Sequence, residues 1–238
     1  MEYIASGFYH ALQLILKLDS ELLGIIFLSL KVSGAALVLA ALIGIPLGAL
    51  LSLKKFPMRS AAVSLLNTFM GLPPVVVGLF LYLLLSRSGP LGFMSLLYTP
   101  YAMMIAQTVL SLPIVASLTY AAVSSVNPVI RMAARTLGAN NYQTAVAIIR
   151  EARMGIMAAV IAAFGRVIAE VGAILIVGGN IAGLTRVMTT AIAMETDKGN
   201  FELALALGII LLSLSLVINT ALHIIQKTKE VRMEMEGD

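Results

Sequence analysis

The 238-residue sequence contains no cysteine and no tryptophan, and only 12% of its residues are charged. The absence of cysteine excludes disulfide bonds, thiolate catalysis and cysteine-ligated metal sites. The two histidines, His10 and His223, lack metal-ligand spacing, and we interpret both as interfacial residues. No Ser-His-Asp or paired-carboxylate arrangement stands out, so we expect no catalysis by this chain.

The sequence also lacks the G-x-x-x-x-G-K-[ST] loop that cradles nucleotide phosphates. It therefore cannot hydrolyse ATP by the usual P-loop route, and we expect it to hold no cofactor. A chain of this length leaves no room for a soluble catalytic domain beside a membrane domain, so residues 1–238 are interpreted as one domain. Any energy source must be a partner protein or an ion gradient.

Apolar residues make up 60% of the chain, and the mean hydropathy is +0.99. Such a composition predicts a protein of the lipid bilayer, in contact with membrane lipid. The net charge of +4 does not indicate nucleic-acid binding, because the basic residues are dispersed and are not interleaved with aromatic ones. Glu2 is the first charged residue and no basic segment precedes the apolar region, so we expect no cleaved signal peptide.

Five apolar stretches are long enough to cross a bilayer, which needs about 20 residues. The first would reach about 48 Å as a helix, longer than a bilayer core, so we expect its beginning to lie at the interface or outside the membrane. Within residues 1–20, the segment Ala5–Leu16 reads as an amphipathic interfacial helix. The prediction is an all-α, polytopic membrane protein with five spans at Leu22–Leu53, Ala61–Ser86, Pro100–Val123, Ile156–Gly178 and Phe201–Ile225.

The distribution of basic residues predicts the orientation of these spans, because cytoplasmic segments carry an excess of Lys and Arg. With the N-terminus outside and the C-terminus in the cytoplasm, the outer segments hold four basic residues, Lys17, Arg87, Arg186 and Lys198. The inner segments then hold ten, which are Lys54, Lys55, Arg59, Arg131, Arg135, Arg150, Arg153, Lys227, Lys229 and Arg232. We therefore predict a multi-pass protein of a prokaryotic plasma or inner membrane in this orientation.

The second span contains a helix-breaking sequence with Gly71, Pro73 and Pro74. A proline pair removes helix hydrogen bonds and forces a kink or an unwound turn. Such breaks persist in a membrane only where protein or a water-filled cavity satisfies the backbone. The sequence leaves two interpretations open, a packing kink and a contribution to a pore or gate.

The longest inner segment, residues 126–153, predicts two short helices joined at a glycine. Asn127-Pro128 is a helix start signal, Gly138 is a stop signal, and a second helix is expected to begin near Tyr142. Apolar side chains in this segment would be exposed to water in the isolated chain but suit a groove on another protein. They are Leu137, Ala139, Tyr142 and Val146.

This segment resembles the EAA loop of ABC importer permeases, in which Glu-Ala-Ala is followed after three residues by glycine. Ala133, Ala134 and Gly138 match that spacing, and Ile148 and Ile149 match apolar positions further on. Met132 stands in place of the glutamate, and Arg150-Glu151 stands in place of a Leu-Pro pair. The resemblance implies a cytoplasmic coupling helix that contacts an ATPase through Ala133, Ala134, Leu137, Gly138, Ala139 and Tyr142.

Longer stretches carry the resemblance across most of the chain. "SLKVSGAALVLAALIGIPLGALL" and "GRVIAEVGAILIVGGNIAG" resemble molybdate, tungstate and sulfate permeases. The combination of "MGLPPVVVGLFLYLLLSRSGPLG" with "LLYTPYAMMIAQTVLSLPIVAS" and "METDKGNFELALALGIILL" resembles the tungstate type most. The resemblance implies a MetI-like type I permease fold and import of a tetrahedral oxyanion, first tungstate, then molybdate or sulfate. It also implies a homodimer, two cytoplasmic ATPase subunits and an external oxyanion-binding protein.

Arg166 and Glu170 lie four residues apart in the fourth span, so they share a helix face and can form an ion pair. Ionisable groups at membrane depth face protein or water, and this pair could lock helix packing or line a gate. Lys31 is expected to snorkel to the interface. The segment from Asn180 to Asn200 is a docking surface for a binding protein or a solvated loop. Polar residues that could bond between helices or wet a pore are Asn67, Gln107, Ser111 and Asn180.

Two other classes of function compete with an ATP-driven importer. An ATP-independent secondary transporter or channel would use Arg166 and Glu170 as an ion relay, and would transport in liposomes on its own. A membrane scaffold without transport would respond neither to an ATPase nor to an oxyanion. The absence of a compelling internal repeat argues against the secondary transporter.

Overall fold

The computed structural model describes Tyr9, Gln13, residues 20–54 and residues 56–236. These residues form ten α-helices, one 3₁₀ turn at Gly92–Met94 and no β-strand. The helices are α1 (Ser20–Leu53), α2 (Arg59–Met70), α3 (Pro74–Leu85), α4 (Pro100–Ser124), α5 (Pro128–Thr136), α6 (Asn141–Glu151), α7 (Arg153–Ile168), α8 (Gly172–Gly178), α9 (Met188–Asp197) and α10 (Phe201–Glu236).

The helices account for the five predicted spans. Three stretches, in α1, α4 and α10, are long and apolar enough to cross a membrane as continuous helices. The pairs α2 with α3 and α7 with α8 also qualify, each as one span interrupted by a short break. In the predicted interfacial segment, Tyr9 and Gln13 are helical and the other residues lie outside the described residues.

The break in the second span lies where the sequence predicts it. Helix α2 ends at Gly71, whose backbone N–H donates to the carbonyl of Thr68 at 3.1 Å. Pro73 is extended, and Pro74 occupies the first position of α3, where no intrahelical N–H bond is required. The predicted interruption is confirmed.

A second break, between α7 and α8, was not predicted. Helix α7 ends at Ile168, and α8 begins at Gly172 without an intervening proline. The carboxylate of Glu170 caps the new helix, because its Oε1 accepts from the backbone N–H of Ala173 at 3.1 Å. A side chain thus replaces the helical carbonyl that the break removes.

The described chain divides into two compact units. Unit 1 comprises Met1–Ala36, Pro73–Thr108 and Gly165–Ala221. Within it, α3 and α8 approach closely at Gly78, where an added Cβ would lie 2.8 Å from the Cα of Ala173. A second contact region joins α1, α9 and α10 through a buried apolar cluster that includes Leu22, Met188 and Leu207.

Unit 2 comprises Leu37–Leu72, Val109–Phe164 and Leu222–Asp238. Its helices also pack through small residues, as is usual within membranes. A Cβ on Gly48 would lie 2.3 Å from the carbonyl oxygen of Ala116, so α1 and α4 are in backbone contact there. The interpretation of residues 1–238 as a single permease domain stays a prediction.

Candidate coupling surface and intramembrane polar cluster

The segment 126–153 contains a helical hairpin, which we call the knob: α5, a turn at 137–140, and α6. Asn127 begins α5, because its Oδ1 accepts from the backbone N–H of Val129 at 3.0 Å. Pro128 follows at the first helical position, where an N–H has no helical partner. The predicted Asn-Pro start signal is confirmed.

Gly138 ends α5 in a Schellman motif. Its N–H donates to the carbonyl of Arg135, and the N–H of Ala139 donates to the carbonyl of Ala134, each at 3.0 Å. Gly138 has a φ of +83°, in the left-handed region that glycine adopts without steric cost. The spacing from Ala134 to Gly138 therefore has a structural reason in this chain: it terminates the helix.

The second helix of the knob begins with a capping box. Asn140 Oδ1 accepts from the N–H of Gln143, and Gln143 Oε1 accepts from the N–H of Asn140, both at 2.9 Å. The pattern Asn-x-x-Gln is a sequence signal for this box, which was not predicted. Helix α6 begins at Asn141, one residue before the predicted start.

The two faces of the knob differ in burial. Thr144 and Ile148 on α6 are buried, and Ile148 joins an apolar cluster with Val123 and Ala152 of the same unit. By contrast, α5 has no buried residue. Leu137 is 87% exposed and Tyr142 is 77% exposed. Apolar side chains of this size at the tip of a hairpin indicate a contact surface.

The other predicted coupling residues lie in the same hairpin. Ala133 is exposed and Ala134 and Ala139 are half-buried. Val129 and Met132 add to the exposed apolar surface of α5 and were not predicted as contact residues. Met132 is the residue that stands in place of the glutamate of the EAA pattern, so this position offers an apolar contact and no charge.

The predicted ion pair is present in unit 1. Arg166 Nη1 lies 3.1 Å from Glu170 Oε2, and the carboxylate is 3% exposed whereas the Arg166 side chain is 36% exposed. Thr189 Oγ1 donates to the backbone carbonyl of Glu170 at 2.9 Å. Glu170 is thus bonded to α7, α8 and α9, which fixes the break between α7 and α8.

A compact polar cluster surrounds this break. Gln107 Nε2 donates to the carbonyl of Val167 at 3.0 Å and to Ser33 Oγ at 3.4 Å. Ser29 Oγ accepts from the N–H of Met188 at 2.9 Å. The cavity that these groups line is about 10 Å³, which is room for about one water molecule and too small for a tetrahedral oxyanion. Gln107 therefore forms bonds between helices, one of its two predicted roles.

The proline break and the Glu170 break are neighbours. A Cβ added to Gly172 would lie 2.9 Å from Val75 Cγ2, and Val75 directly follows Pro74. No local pattern predicted that the Pro73-Pro74 break would lie near the Glu170 break, because this proximity depends on the packing of α3 on α8. Gly71 belongs to unit 2, where it is the C-cap of α2.

Asn180 lies at the far end of α8 from Glu170. Gly179 ends that helix at a φ of +71°, as predicted, and Asn180 follows at +51°. Asn180 Nδ2 donates to the carbonyl of Thr190 at 3.4 Å. These contacts place Asn180 in the connection from α8 to α9. In unit 2, Asn67 accepts a hydrogen bond from Ser117, joining α2 to α4.

The segment 180–200, which was predicted to be an outer loop, contains α9. Its end is held by Glu195, which accepts from Lys198 Nζ at 2.9 Å and from Asn200 Nδ2 at 3.0 Å. The hydrogen bond from Lys198, with a smaller contribution from Asn200, lowers the pKa of the Glu195 carboxyl below its ordinary value, against the effect of burial. This carboxylate is therefore ionised at neutral pH.

Comparison with known proteins gives three close matches of different kinds. The chain is 44% identical over 227 residues to the tungstate uptake system permease protein TupB of Peptoclostridium acidaminophilum, covering 95% of this chain and all of the relative. It is 47% identical over 203 residues to a probable anion ABC transporter permease protein of Haloferax volcanii, covering 83% and 88%. A bacterial ABC transporter that imports alginate has a similar fold, with a TM-score of 0.71 at 22% identity over 93% and 83% of the chains.

The family described as binding-protein-dependent transport system inner membrane component matches residues 44–231. This range includes four of the five spans in full, together with the knob and the polar cluster apart from Ser29 and Ser33. The relatives match over nearly the whole length of both chains. The chain belongs to this family of inner membrane components, the permease subunits of ABC importers, which leave ATP hydrolysis to a separate subunit.

Proposed function

We propose that this chain is the permease of an ATP-driven importer of tungstate. The observation that carries the proposal is the 44% identity to a tungstate uptake permease over the full length of that relative. Molybdate and sulfate are the next substrates to test, because they are also tetrahedral divalent oxyanions and differ from tungstate chiefly in size and hydration. The cavity of about 10 Å³ beside Glu170 is too small to hold any of these oxyanions, so the proposal places no substrate site there.

The knob is proposed as the contact with the ATPase. Its tip offers exposed apolar side chains, Leu137 and Tyr142, while α6 is anchored by the burial of Ile148. A rigid hairpin with an apolar tip can transmit movement of a partner into the spans on either side of it. The same contact surface would also include Ala133, Ala134, Gly138 and Ala139.

We also propose that Arg166 and Glu170 act as part of a gate. Their ion pair, together with Pro73, Pro74 and the neighbouring break, forms a gate element that holds α7 and α8 in one arrangement. The Arg166 side chain is 36% exposed, so part of it is accessible to solvent or substrate. Gly71, at the break in the second span, and Asn180, just after the fourth span, would act as hinge positions.

The orientation and the assembly complete the proposal. The N-terminus lies outside and the C-terminus lies in the cytoplasm, supported by ten basic residues on one side of the spans against four on the other. Two copies form the pore, with two ATPase subunits below and one binding protein above. The segment 180–200, which ends in α9 and the Glu195 contacts, is the proposed docking surface for that protein.

Reconstitution in proteoliposomes tests the function. The permease, its ATPase and its binding protein are combined, and ATP hydrolysis and uptake are measured with tungstate, molybdate or sulfate on the binding protein. We expect stimulation of hydrolysis first with tungstate and no uptake when the ATPase is omitted. Gradient-driven uptake by the permease alone would instead support the secondary transporter.

A further inference from the structure

Unit 2 contains a groove of about 540 Å³ that no step of the proposed transport uses. One wall is the last part of α1, with Ala49, Leu50 and Leu53. The opposite wall is α6 of the knob, with Ala145 and Ile148. Both walls are therefore made largely of hydrocarbon.

Three basic residues lie at the rim of this groove. Lys54 directly follows α1, and Arg131 and Arg135 project from α5. The described lining residues include no carboxylate. Arg135 donates to Asn141 Oδ1 at 3.3 Å, a neutral partner that leaves its charge uncompensated.

The position of the groove relative to the bilayer follows from α1. Leu50 and Leu53 belong to the last turns of a membrane-spanning stretch that ends at Leu53. Lys54, the next residue, lies at the depth where a hydrocarbon core gives way to headgroups. The groove thus begins among acyl chains and opens at the level of the phosphates.

The sequence around the groove is predominantly basic. Residues 37–72 and 109–164 contain a single acidic residue, Glu151. The same ranges contain seven basic residues, which are Lys54, Lys55, Arg59, Arg131, Arg135, Arg150 and Arg153. A small free anion would interact with the basic residues but not with the apolar walls. An anionic phospholipid can do both, because its acyl chains pack against hydrocarbon and its phosphate pairs with the cations.

We propose that this groove binds one anionic phospholipid, with an acyl chain between α1 and α6 and the phosphate against Lys54, Arg131 and Arg135. The lipid would fill the space between the first span and the knob. The proposed cytoplasmic position of the knob determines only which leaflet supplies the lipid. Failure of tungstate transport would therefore leave the lipid proposal standing.

Native mass spectrometry of the full-length permease tests this proposal without an ATPase or a substrate. The protein is purified in mixed micelles of phosphatidylglycerol and phosphatidylcholine, and the lipids retained after partial delipidation are counted. We expect preferential retention of phosphatidylglycerol. Because each basic side chain near an anionic lipid strengthens binding on the order of fivefold, the combined variant Lys54→Gln, Arg131→Gln and Arg135→Gln should lower retention more than about tenfold.

A control variant loses three positive charges, as the groove variant does, but at positions outside the groove. Lys31→Gln, Arg87→Gln and Arg150→Gln replace exposed basic residues that do not line the groove, and retention should stay within about twofold of the parent. Ala145→Phe fills the groove without altering charge and should lower phosphatidylglycerol retention as well. Melting temperatures show that each variant is folded.

Four results of the lipid-retention measurements would overturn the proposal, and a fifth result concerns ATPase binding. The four are equal retention of the two lipids, equal losses in the groove and control variants, unchanged retention in Ala145→Phe, and full displacement of the lipid by excess inorganic phosphate. The last would identify a small-anion site. Unchanged lipid retention with loss of ATPase binding in the groove variant would overturn it in favour of a protein occupant.

Discussion

Glu170 and Arg166 form an ion pair with an Nη1–Oε2 distance of 3.1 Å, while the other oxygen of the same carboxylate caps α8 at the N–H of Ala173. One side chain thus connects the end of α7 to the beginning of α8. The ion pair and the cap can be removed separately by substituting Glu170. A glutamine amide at this position can still accept a hydrogen bond but carries no charge.

Substitution of Glu170 should therefore give graded effects. Glu170→Gln leaves the cap possible and removes the ion pair, and we expect destabilisation by about 1 kcal/mol because Arg166 is partly exposed. Glu170→Ala removes both interactions and should cost about 1–3 kcal/mol. Thermal unfolding in detergent measures both. Equal stability of the two variants would show that the cap contributes nothing.

The same variants test the gate. If the pair holds a closed arrangement, Glu170→Gln should raise ATP hydrolysis in the absence of loaded binding protein. Arg166→Gln should do the same, and the double variant should add little because both residues act in one interaction. Reduced stability with unaltered basal hydrolysis would indicate a packing role only.

The tip of the knob should control association with the ATPase. Tyr142→Asp and Leu137→Asp place charges on side chains that are 77% and 87% exposed, so the fold should tolerate them while an apolar contact should not. We expect binding to weaken by more than about tenfold, corresponding to about 1.4 kcal/mol. Co-purification and binding by surface plasmon resonance measure this effect.

Arg150→Gln on the same hairpin is the matched control, because Arg150 is exposed and is not among the proposed contact residues. It should bind the ATPase as the parent does. Normal binding by both aspartate variants would contradict a contact at the tip.

Close packing of α3 on α8 predicts an unusually sensitive glycine. An added Cβ at Gly78 would lie 2.8 Å from Ala173 Cα, which is backbone and cannot move aside as a flexible side chain can. Gly78→Ala should lower the melting temperature by several degrees, for a cost of about 1–3 kcal/mol. Gly208→Ala is the control, because a Cβ at that helical glycine meets nothing within 4 Å. Gly208→Ala should leave the melting temperature unchanged or raise it, because alanine has a higher helix propensity than glycine.

The Glu195 contacts predict a pH dependence at the end of α9. The pKa of Glu195 is lowered in the folded protein by its hydrogen bonds from Lys198 and Asn200. Its stabilisation is therefore fully present above the ordinary pKa of 4.5 and is lost as the pH falls below that value through the lowered folded pKa. The protection factors of the amides in residues 188–200, calculated against the intrinsic exchange rate at each pH, should therefore fall on acidification.

Glu195→Gln removes the titrating group and should flatten this profile while leaving exchange in α6 unchanged. Identical profiles for the parent and the variant would assign the acid sensitivity to another residue.

Local sequence signals predicted those parts of the fold that depend on neighbouring residues. Asn127-Pro128 begins α5, Gly138 ends it, and Pro73-Pro74 interrupts the second span, each for a reason contained in the backbone chemistry of those residues. The apolar stretches likewise predicted the spans, because a bilayer requires a minimum length of apolar helix.

The features that were missed depend on tertiary contacts. The break between α7 and α8 contains no proline and is held by the Glu170 cap and by the contact of Gly172 with Val75. Helix α9 has no Asx or Ser residue at its N-cap, and it is held by burial of Met188 and Ala191 in the cluster with α10. Neither arrangement has a periodic or capping signature that a single sequence reveals.

The knob has a further consequence for docking. The Schellman motif at Gly138 and the capping box at Asn140 pair the backbone groups of the turn within the hairpin itself. The tip is thus preorganised, and its docking sacrifices little conformational entropy. At the proposed contact, a displacement of Tyr142 would move α6 as one rigid helix, because the paired backbone groups of the turn resist rearrangement.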